Sequence, residues 1–423
     1  METELRHELA IANKKCYYSA SFMGTGFKAV DSGTVTSPQG FLAGAVNAGI
    51  KGQAKPDLAI LCSEKPCVAA GVFTANSIKA APVIISRKHL KDKKAQAIVV
   101  NSGCANACTG DLGMTDAVEM ASSVAGKLGL PTDDVLVAST GVIGMPLPME
   151  RIRAGISQIA LTKDGGHDLA RAMMTTDTFA KEIAICVESE LGGFSIGGVA
   201  KGAGMIHPNM ATMLCFLTTD AMVDARFLQS ALRKAVDASF NMITVDGDTS
   251  PSDTVVILAN GLAQTKTINK GRGGLFQKAL DEVCLYLAKC VARDGEGATK
   301  LIEVIVEGAM NGAQARLAAR TVASSPLFKA AIHGNDPNWG RAVAALGRSG
   351  AEVNERKLEV YLNDVCLMKQ GSPLPFDKQE MSNDLAGKEV SVRLCLNLSQ
   401  GKAVAWGCDL SEEYVTINSD YTS

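Results

Sequence analysis

Histidine is scarce in this sequence, with five in 423 residues, and none stands in a His-x-His pair. The twelve cysteines are scattered and form no Cys-x-x-Cys; Cys104 and Cys108, in GCANAC, are four apart and lack a second ligand pair. Those absences argue against a structural zinc site. They leave buried, reduced thiols as the reading, which suits a cytoplasmic compartment. No stretch approaches the ~18 apolar residues that cross a bilayer. The opening METELRHELAIANKKCYY alternates charges with apolar residues and presents no signal-peptide core. Charge of one sign is missing too: 42 Lys plus Arg stand against 44 Asp plus Glu, a net charge of −2. That balance gives no electrostatic ground for a nucleic-acid or membrane partner. The densest basic run, Arg87-Lys88-His89 with Lys91, Lys93 and Lys94, has no interleaved aromatics and reads as solvated surface.

The common catalytic devices are absent as well. The chain contains no GxxxxGK[ST], no HExxH and no GxSxG. Gly24-x-Gly26 and Gly202-x-Gly204 lack the rest of a dinucleotide fingerprint and count as turns. The segment DGDTSPSD (246–253) has Pro251 where a calcium loop needs glycine, and Ile257 where it needs a bidentate glutamate. Neither a metal nor an organic cofactor is expected.

What is present is a globular composition, 47 % hydrophobic and 20 % charged, long enough for two or three domains. Strand signals fall at 58–62, 97–101, 135–138, 183–187, 213–218 and 254–260, each rich in β-branched residues and bounded by turn formers. Between them, Ala117, Ala121, Val124 and Leu128 share one helical face, as do Phe276, Leu280, Val283 and Leu287. Asp224 is a plausible N-cap for a helix over 225–239. The mixture predicts an α/β or α+β fold with sheets covered by helices. The polar, glycine-rich stretch 264–274 reads as a linker. Composition shifts after Asn311, where a long helical stretch runs to HGNDPNWG. From about Lys357 the chain turns β-rich, predicting a smaller C-terminal α/β domain at about 306–423.

Four polar, glycine-containing segments follow regular elements, where sites are usually built: STGVIG (139–144), TTDT (175–178), VDGDTS (245–250) and RDGEGATK (293–300). A fifth, GAGMIHPNMATML (202–214), runs from a glycine-rich turn into a strand and carries Ala211-Thr212. A threonine hydroxyl is a poor nucleophile without a base; as an N-terminal residue, its own α-amine serves as that base. Making such a terminus internally requires an N-to-O acyl shift followed by hydrolysis, which a strained upstream turn would assist. An Ala-Thr pair at a strand start is otherwise an ordinary structural feature.

KGAGMIHPNMATML (201–214) resembles the self-cleavage segment of the ornithine acetyltransferases, also called glutamate N-acetyltransferases, of arginine biosynthesis. The resemblance extends from GFLAG (40–44) to the last residues, through AAGVFT (69–74), STGVIG, MMTTDTF (173–179), TVDGDTS (244–250), RDGEGATK, DPNWGR (336–341) and YVTINSDY (414–421). It implies a layered helix–sheet–sheet–helix sandwich of the N-terminal-nucleophile type. It also implies cleavage between Ala211 and Thr212 into segments 1–211 and 212–423, with Thr212 the nucleophile. Thr140 and Gly141 would form the oxyanion hole, and Thr178, Lys201, Thr212, Glu296, Asn418 and Ser423 would contact substrate. The implied reaction carries an acetyl group from N-acetylornithine to glutamate by way of an acetyl-Thr212 ester, with acetyl-CoA as a second donor in some members. The implied assembly is a dimer of cleaved pairs, a heterotetramer. The sequence departs from the family at Cys104, where asparagine is expected. Two other readings stand beside this one: a self-processed aminopeptidase or amidase that uses water as acceptor, and a non-catalytic metabolite-binding protein.

Overall fold

The computed structural model describes residues 27–52, 54–207 and 213–420. Its first sheet contains β1 (Phe27–Ala29), β2 (Phe41–Val46), β3 (Leu58–Phe73), β4 (Lys94–Cys104), β5 (Val135–Val142), β6 (Lys181–Val187), β7 (Phe194–Lys201), β8 (Leu214–Thr219) and β9 (Thr254–Ala259). The order is β1-β6-β7-β8-β9-β3-β4-β5, with β2 beside β3. The β4–β5 and β8–β9 pairs are parallel and the other pairs antiparallel. The 16-residue β3 belongs to two layers. Its first part pairs with β2 and β4 and its last part with β9, with a register shift between Cys62 and Cys67.

Side-chain alternation explains the layering, because successive strand residues face opposite sides. Ala59, Leu61, Ile98, Val100, Leu136 and Ala138 of one half pack against Val199, Leu214, Phe216, Val256 and Leu258 of the other. Their neighbours Leu58, Ile60, Val99 and Val137 face outward onto α2 (Gly110–Leu128) and α3 (Met149–Gln158), which follow α1 (Ala81–His89) in the chain. On the far side Cys215, Leu217, Val255 and Ile257 meet α5 (Ala225–Ala238) and α6 (Gly274–Arg293). Between the halves sits α4 (Gly166–Met173), whose Leu169, Ala170, Ala172 and Met173 join the inner core. The result is the helix–sheet–sheet–helix sandwich that the resemblance implies.

The capping and periodicity signals account for these helices. The Asp224 side chain accepts from the backbone N–H groups of Arg226 and Phe227, as an N-cap should. Phe276, Leu280, Val283 and Leu287 are all buried along α6.

A six-stranded sheet follows, built from β10 (Leu301–Ala309), β11 (Glu359–Leu362), β12 (Val365–Lys369), β13 (Ser372–Pro373), β14 (Glu389–Cys395) and β15 (Gly401–Cys408) in the order β13-β12-β11-β14-β10-β15. Its inner residues, among them Ile302, Val304, Val392 and Ala405, belong to the same continuous core as α6. One sequence expectation is corrected here. The helical stretch after Asn311 is broken into α7 (Gly312–Ala323) and α8 (Pro326–His333), because Pro326 has no N–H to continue the ladder and instead opens the next helix. Beyond the HGNDPN turn come α9 (Trp339–Gly347), α10 (Lys378–Asp384) and α11 (Glu412–Asp420). Among the described residues no helix is long and apolar enough to cross a membrane.

Candidate active site

Where the ends of β5, β7 and β8 meet the turn after α6, they enclose a cavity of about 160 Å³. Thr140, Gly141, Lys201, Glu296 and Asn418 all line it. So do Ile206 and Met213, which flank the segment carrying Ala211 and Thr212; those two residues, like Ser423, lie outside the described residues. Five of the sequence-predicted site residues, drawn from positions up to 278 apart in the chain, therefore line one cavity. Thr178 does not. It is exposed, and both its N–H (3.0 Å) and its hydroxyl donate to Asp294.

Thr140 and Gly141 lie at the end of strand β5 itself, where the ladder with β4 is irregular at Gly103 and Cys104. Gly141 has φ +128°, and a Cβ there would run into the backbone of Gly103 and Cys104. Glycine is required on both counts. Cys104, the departure from the family pattern, is buried and donates through Sγ to the Met145 carbonyl at 3.0 Å. Burial pushes its thiol pKa up, so it stays protonated as a donor.

Lys201 ends β7 with its ammonium buried at the cavity edge. It donates to Thr175 Oγ1 at 2.8 Å and to Thr140 Oγ1 at 3.4 Å, and Asp177 Oδ2 lies 3.9 Å away. Burial lowers its pKa, Asp177 opposes that shift, and Lys181 adds to it. Beneath it lies a fully buried ion network. Lys181 Nζ reaches Asp177 Oδ1 at 2.7 Å and Asp294 Oδ2 at 2.6 Å. Burial pushes the Asp177 carboxyl up, but Lys181 and Lys201 outweigh it and hold the group well below the usual carboxylate range. For Lys181 the same contest goes to the two carboxylates, which keep its pKa raised against burial. Leaving one such charge unpaired costs about 3–5 kcal/mol, so the network fixes its members firmly. It ties the 175–181 loop to Asp294 at the C-terminus of α6, across the predicted scission point.

On the opposite wall, the Glu296 N–H donates to the Ala203 carbonyl at 3.0 Å. Its carboxylate lies directly over Gly204, where any Cβ would collide with it. Asn418 Nδ2 donates to Glu296 Oε2 at 2.8 Å. The turn between Lys201 and His207 is held by Asp246, whose carboxylate accepts from Met205 N (2.6 Å) and Ile206 N (2.9 Å). Met205 is thereby kept at φ +55°, a left-handed conformation uncommon for that residue type.

A hydroxyl, a backbone turn available only to glycine, a cation and an anion thus face one small space. Such a set suits a zwitterionic substrate and a developing oxyanion. Sequence reasoning missed Thr175, Asp177, Lys181, Asp246 and Asp294. Four of them stand in the segments TTDT, VDGDTS and RDGEGATK, and Asp177 with Lys181 had the i, i+4 spacing of an ion pair. Among the described residues no cluster of His, Cys, Asp and Glu is arranged to hold a metal ion.

Comparison with known proteins agrees with the motifs. The arginine biosynthesis bifunctional protein ArgJ of Dehalococcoides mccartyi is 55 % identical over 395 residues, covering 92 % of this chain and 98 % of that protein. Its counterpart in Symbiobacterium thermophilum is 52 % identical, with the same coverage of both chains. A crystal structure of the Bacillus halodurans argJ protein aligns over 48 % of this chain and 97 % of its own, with 44 % identity and a TM-score of 0.47. The ArgJ family pattern spans residues 42–423, and the chain belongs to the ArgJ family.

Proposed function

We propose that the protein moves the acetyl group of N-acetylornithine to glutamate, after cutting itself between Ala211 and Thr212. The observation that carries this is the convergence of Thr140, Gly141, Lys201, Glu296 and Asn418 on one cavity bounded by Ile206 and Met213, either side of the proposed nucleophile. Family membership and the relatives' name, arginine biosynthesis bifunctional protein, support the substrate pair.

In this mechanism the α-amine of Thr212 takes the proton from Oγ as Oγ attacks the acetamide carbonyl. Thr140 and Gly141 hold the oxyanion. The amine base returns the proton to the departing nitrogen of ornithine, leaving an acetyl ester on Thr212. The amine of glutamate then attacks that ester, the hydroxyl is restored and N-acetylglutamate leaves. Glu296 attracts the side-chain ammonium of ornithine, and Asn418 holds the carboxylate of Glu296 in place. Lys201 contributes positive charge for a substrate carboxylate. Thr178 and Ser423 complete the proposed substrate contacts. The chemistry requires neither metal nor organic cofactor, and acetyl-CoA is proposed as a second donor to the same hydroxyl. A cytoplasmic dimer of cleaved pairs is the proposed form.

Denaturing mass spectrometry tests the processing step. Two species of 211 and 212 residues are expected in place of the 44.2 kDa chain. Labelled acetylornithine with glutamate tests the transfer: label in N-acetylglutamate supports it, and label in acetate alone makes the protein a hydrolase. Thr212→Ala should abolish both, and retained transfer would remove Thr212 from the mechanism.

A further inference from the structure

Asp177 touches no wall of the cavity, yet it grips the residues that do. Its Oδ1 accepts from the Gly202 N–H at 2.6 Å and from Lys181 Nζ at 2.7 Å, and its Oδ2 accepts from the Thr175 N–H at 2.9 Å. The same Oδ2 is the carboxylate oxygen 3.9 Å from Lys201 Nζ. One side chain thereby fixes the backbone just after Lys201, the loop carrying the nearest acceptor of Lys201, and the charge beside its ammonium.

We propose that Asp177 is a positioning residue for acyl transfer: it holds the Lys201 ammonium against the Thr140 hydroxyl, so that Thr140 accepts from Lys201 and turns its own proton toward the developing oxyanion. The inference rests on the acyl-transfer reading of this site and adds a role for Lys201 beyond substrate charge. A hydroxyl has one proton and two lone pairs. With a lone pair engaged by an ammonium, its proton is left for the oxyanion and becomes a stronger donor. Lys181 and Asp294 have a separate task, since Lys181 neutralises the buried Asp177 and Asp294 balances the second positive charge.

The protonation of Lys201 gives a readout that mere structural support does not move. The charged groups facing it are Asp177, Glu296 and Asp253, which favour the ammonium, and Lys181 and Lys51, which oppose it. The arrangement works only while Lys201 is charged, so activity falls on the alkaline side as it deprotonates. Removing the Asp177 charge moves that limb to lower pH.

The experiment compares D177N and D294N with wild type in the full-length protein, following acetyl transfer from N-acetylornithine to glutamate across pH. D177N is expected to lower kcat about tenfold or more, short of the roughly 10²–10³-fold cost of deleting an oxyanion donor outright, and to shift the alkaline limb downward. D294N is expected to leave the limb at its wild-type position. A D177N limb that does not move, or limbs that move equally in both variants, overturns the role of Asp177. If D177N does not accumulate as folded protein, D177E keeps the charge and misplaces it: reduced kcat with an unmoved limb supports the proposal, and wild-type kcat overturns it. A wild-type protein without any transfer sinks the acyl-transfer reading and this inference with it; an active wild type with an unmoved D177N limb sinks only the inference.

Discussion

Asn418 and Glu296 are 122 residues apart in sequence and share a 2.8 Å hydrogen bond at the mouth of the cavity. The amide of Asn418 also donates to the Tyr414 carbonyl one turn earlier, at 2.9 Å. The exposed helix α11 is thus joined to the site through Asn418. It is anchored at its start by Ser411, whose hydroxyl donates to the Gly297 carbonyl at 2.6 Å. Gly297 has φ +70° and lies under the Tyr414 N–H, where a Cβ would come within 2.6 Å. The acidic wall of the cavity is therefore assembled from the turn after α6 and the chain's last helix together.

Gly204 sets where that acid lies. Its backbone angles suit any residue, so alanine there brings no conformational strain, only a Cβ in the space of the Glu296 carboxylate. The carboxylate is the free end of a flexible side chain and will move first. Gly204→Ala should raise KM for N-acetylornithine roughly tenfold, the worth of a charged hydrogen bond. The KM for glutamate should change much less, and the thermal midpoint should stay within about 2 °C. A variant that melts much earlier and loses both substrates equally would place the effect in folding instead.

Gly141 presents the opposite case. At φ +128°, with backbone where its Cβ would go, it tolerates no side chain without displacement of the β4–β5 end. Gly141→Ala should lower kcat by about 10² or more, as expected for loss of an oxyanion donor. If the same hole serves self-cleavage, the uncut 44.2 kDa chain should persist in the mass spectrum. Normal processing with lost transfer would separate the two reactions.

Much of this was legible in the sequence, for physical reasons. Apolar alternation and the Asp224 cap place strands and helices because those signals are local. Strand β7, FSIGGVAK, escaped notice because its two central glycines dilute the β-branched pattern. They are there because a Cβ at Gly197 would strike the Thr34 carbonyl and one at Gly198 the side chains of Leu217 and Leu287. The motifs identify residues that line the cavity. They are silent on the buried Lys181, whose importance arises only when Asp294 is brought to it from 113 residues away. Thr178 is a substrate contact by the resemblance, and in the fold both its N–H and its hydroxyl donate to Asp294.

Lys300 stands four residues from Glu296 in the same motif, yet it faces away from the cavity. Its Nζ donates to the carbonyls of Ile332 (2.7 Å) and Leu385 (2.8 Å) and to Asn335 Oδ1, stapling the end of α8 to the segment after α10. Lys300→Met keeps the apolar stem and removes every donor. It should cost about 1–3 kcal/mol for each carbonyl left unsatisfied, read as a lower urea midpoint. The folded fraction should keep its KM values, and an altered KM at unchanged stability would return Lys300 to the site.

His207, the last described residue before the proposed scission, supplies a pH test. Its Nδ1 lies 3.0 Å from Thr244 Oγ1, and burial, aided by Arg320, lowers its pKa from 6.5 to about 4. The imidazole is therefore neutral in the folded protein at pH 5, whereas in the unfolded chain it is mostly protonated. Because the folded value lies below the unfolded one, this contribution to stability is complete above pH 6.5 and is lost as pH falls from there toward 4. The thermal midpoint should drop between pH 7 and pH 5. His207→Asn, which can still meet the Thr244 hydroxyl but does not titrate, should show a smaller drop. Equal drops in the two proteins would assign the acid sensitivity to groups other than His207.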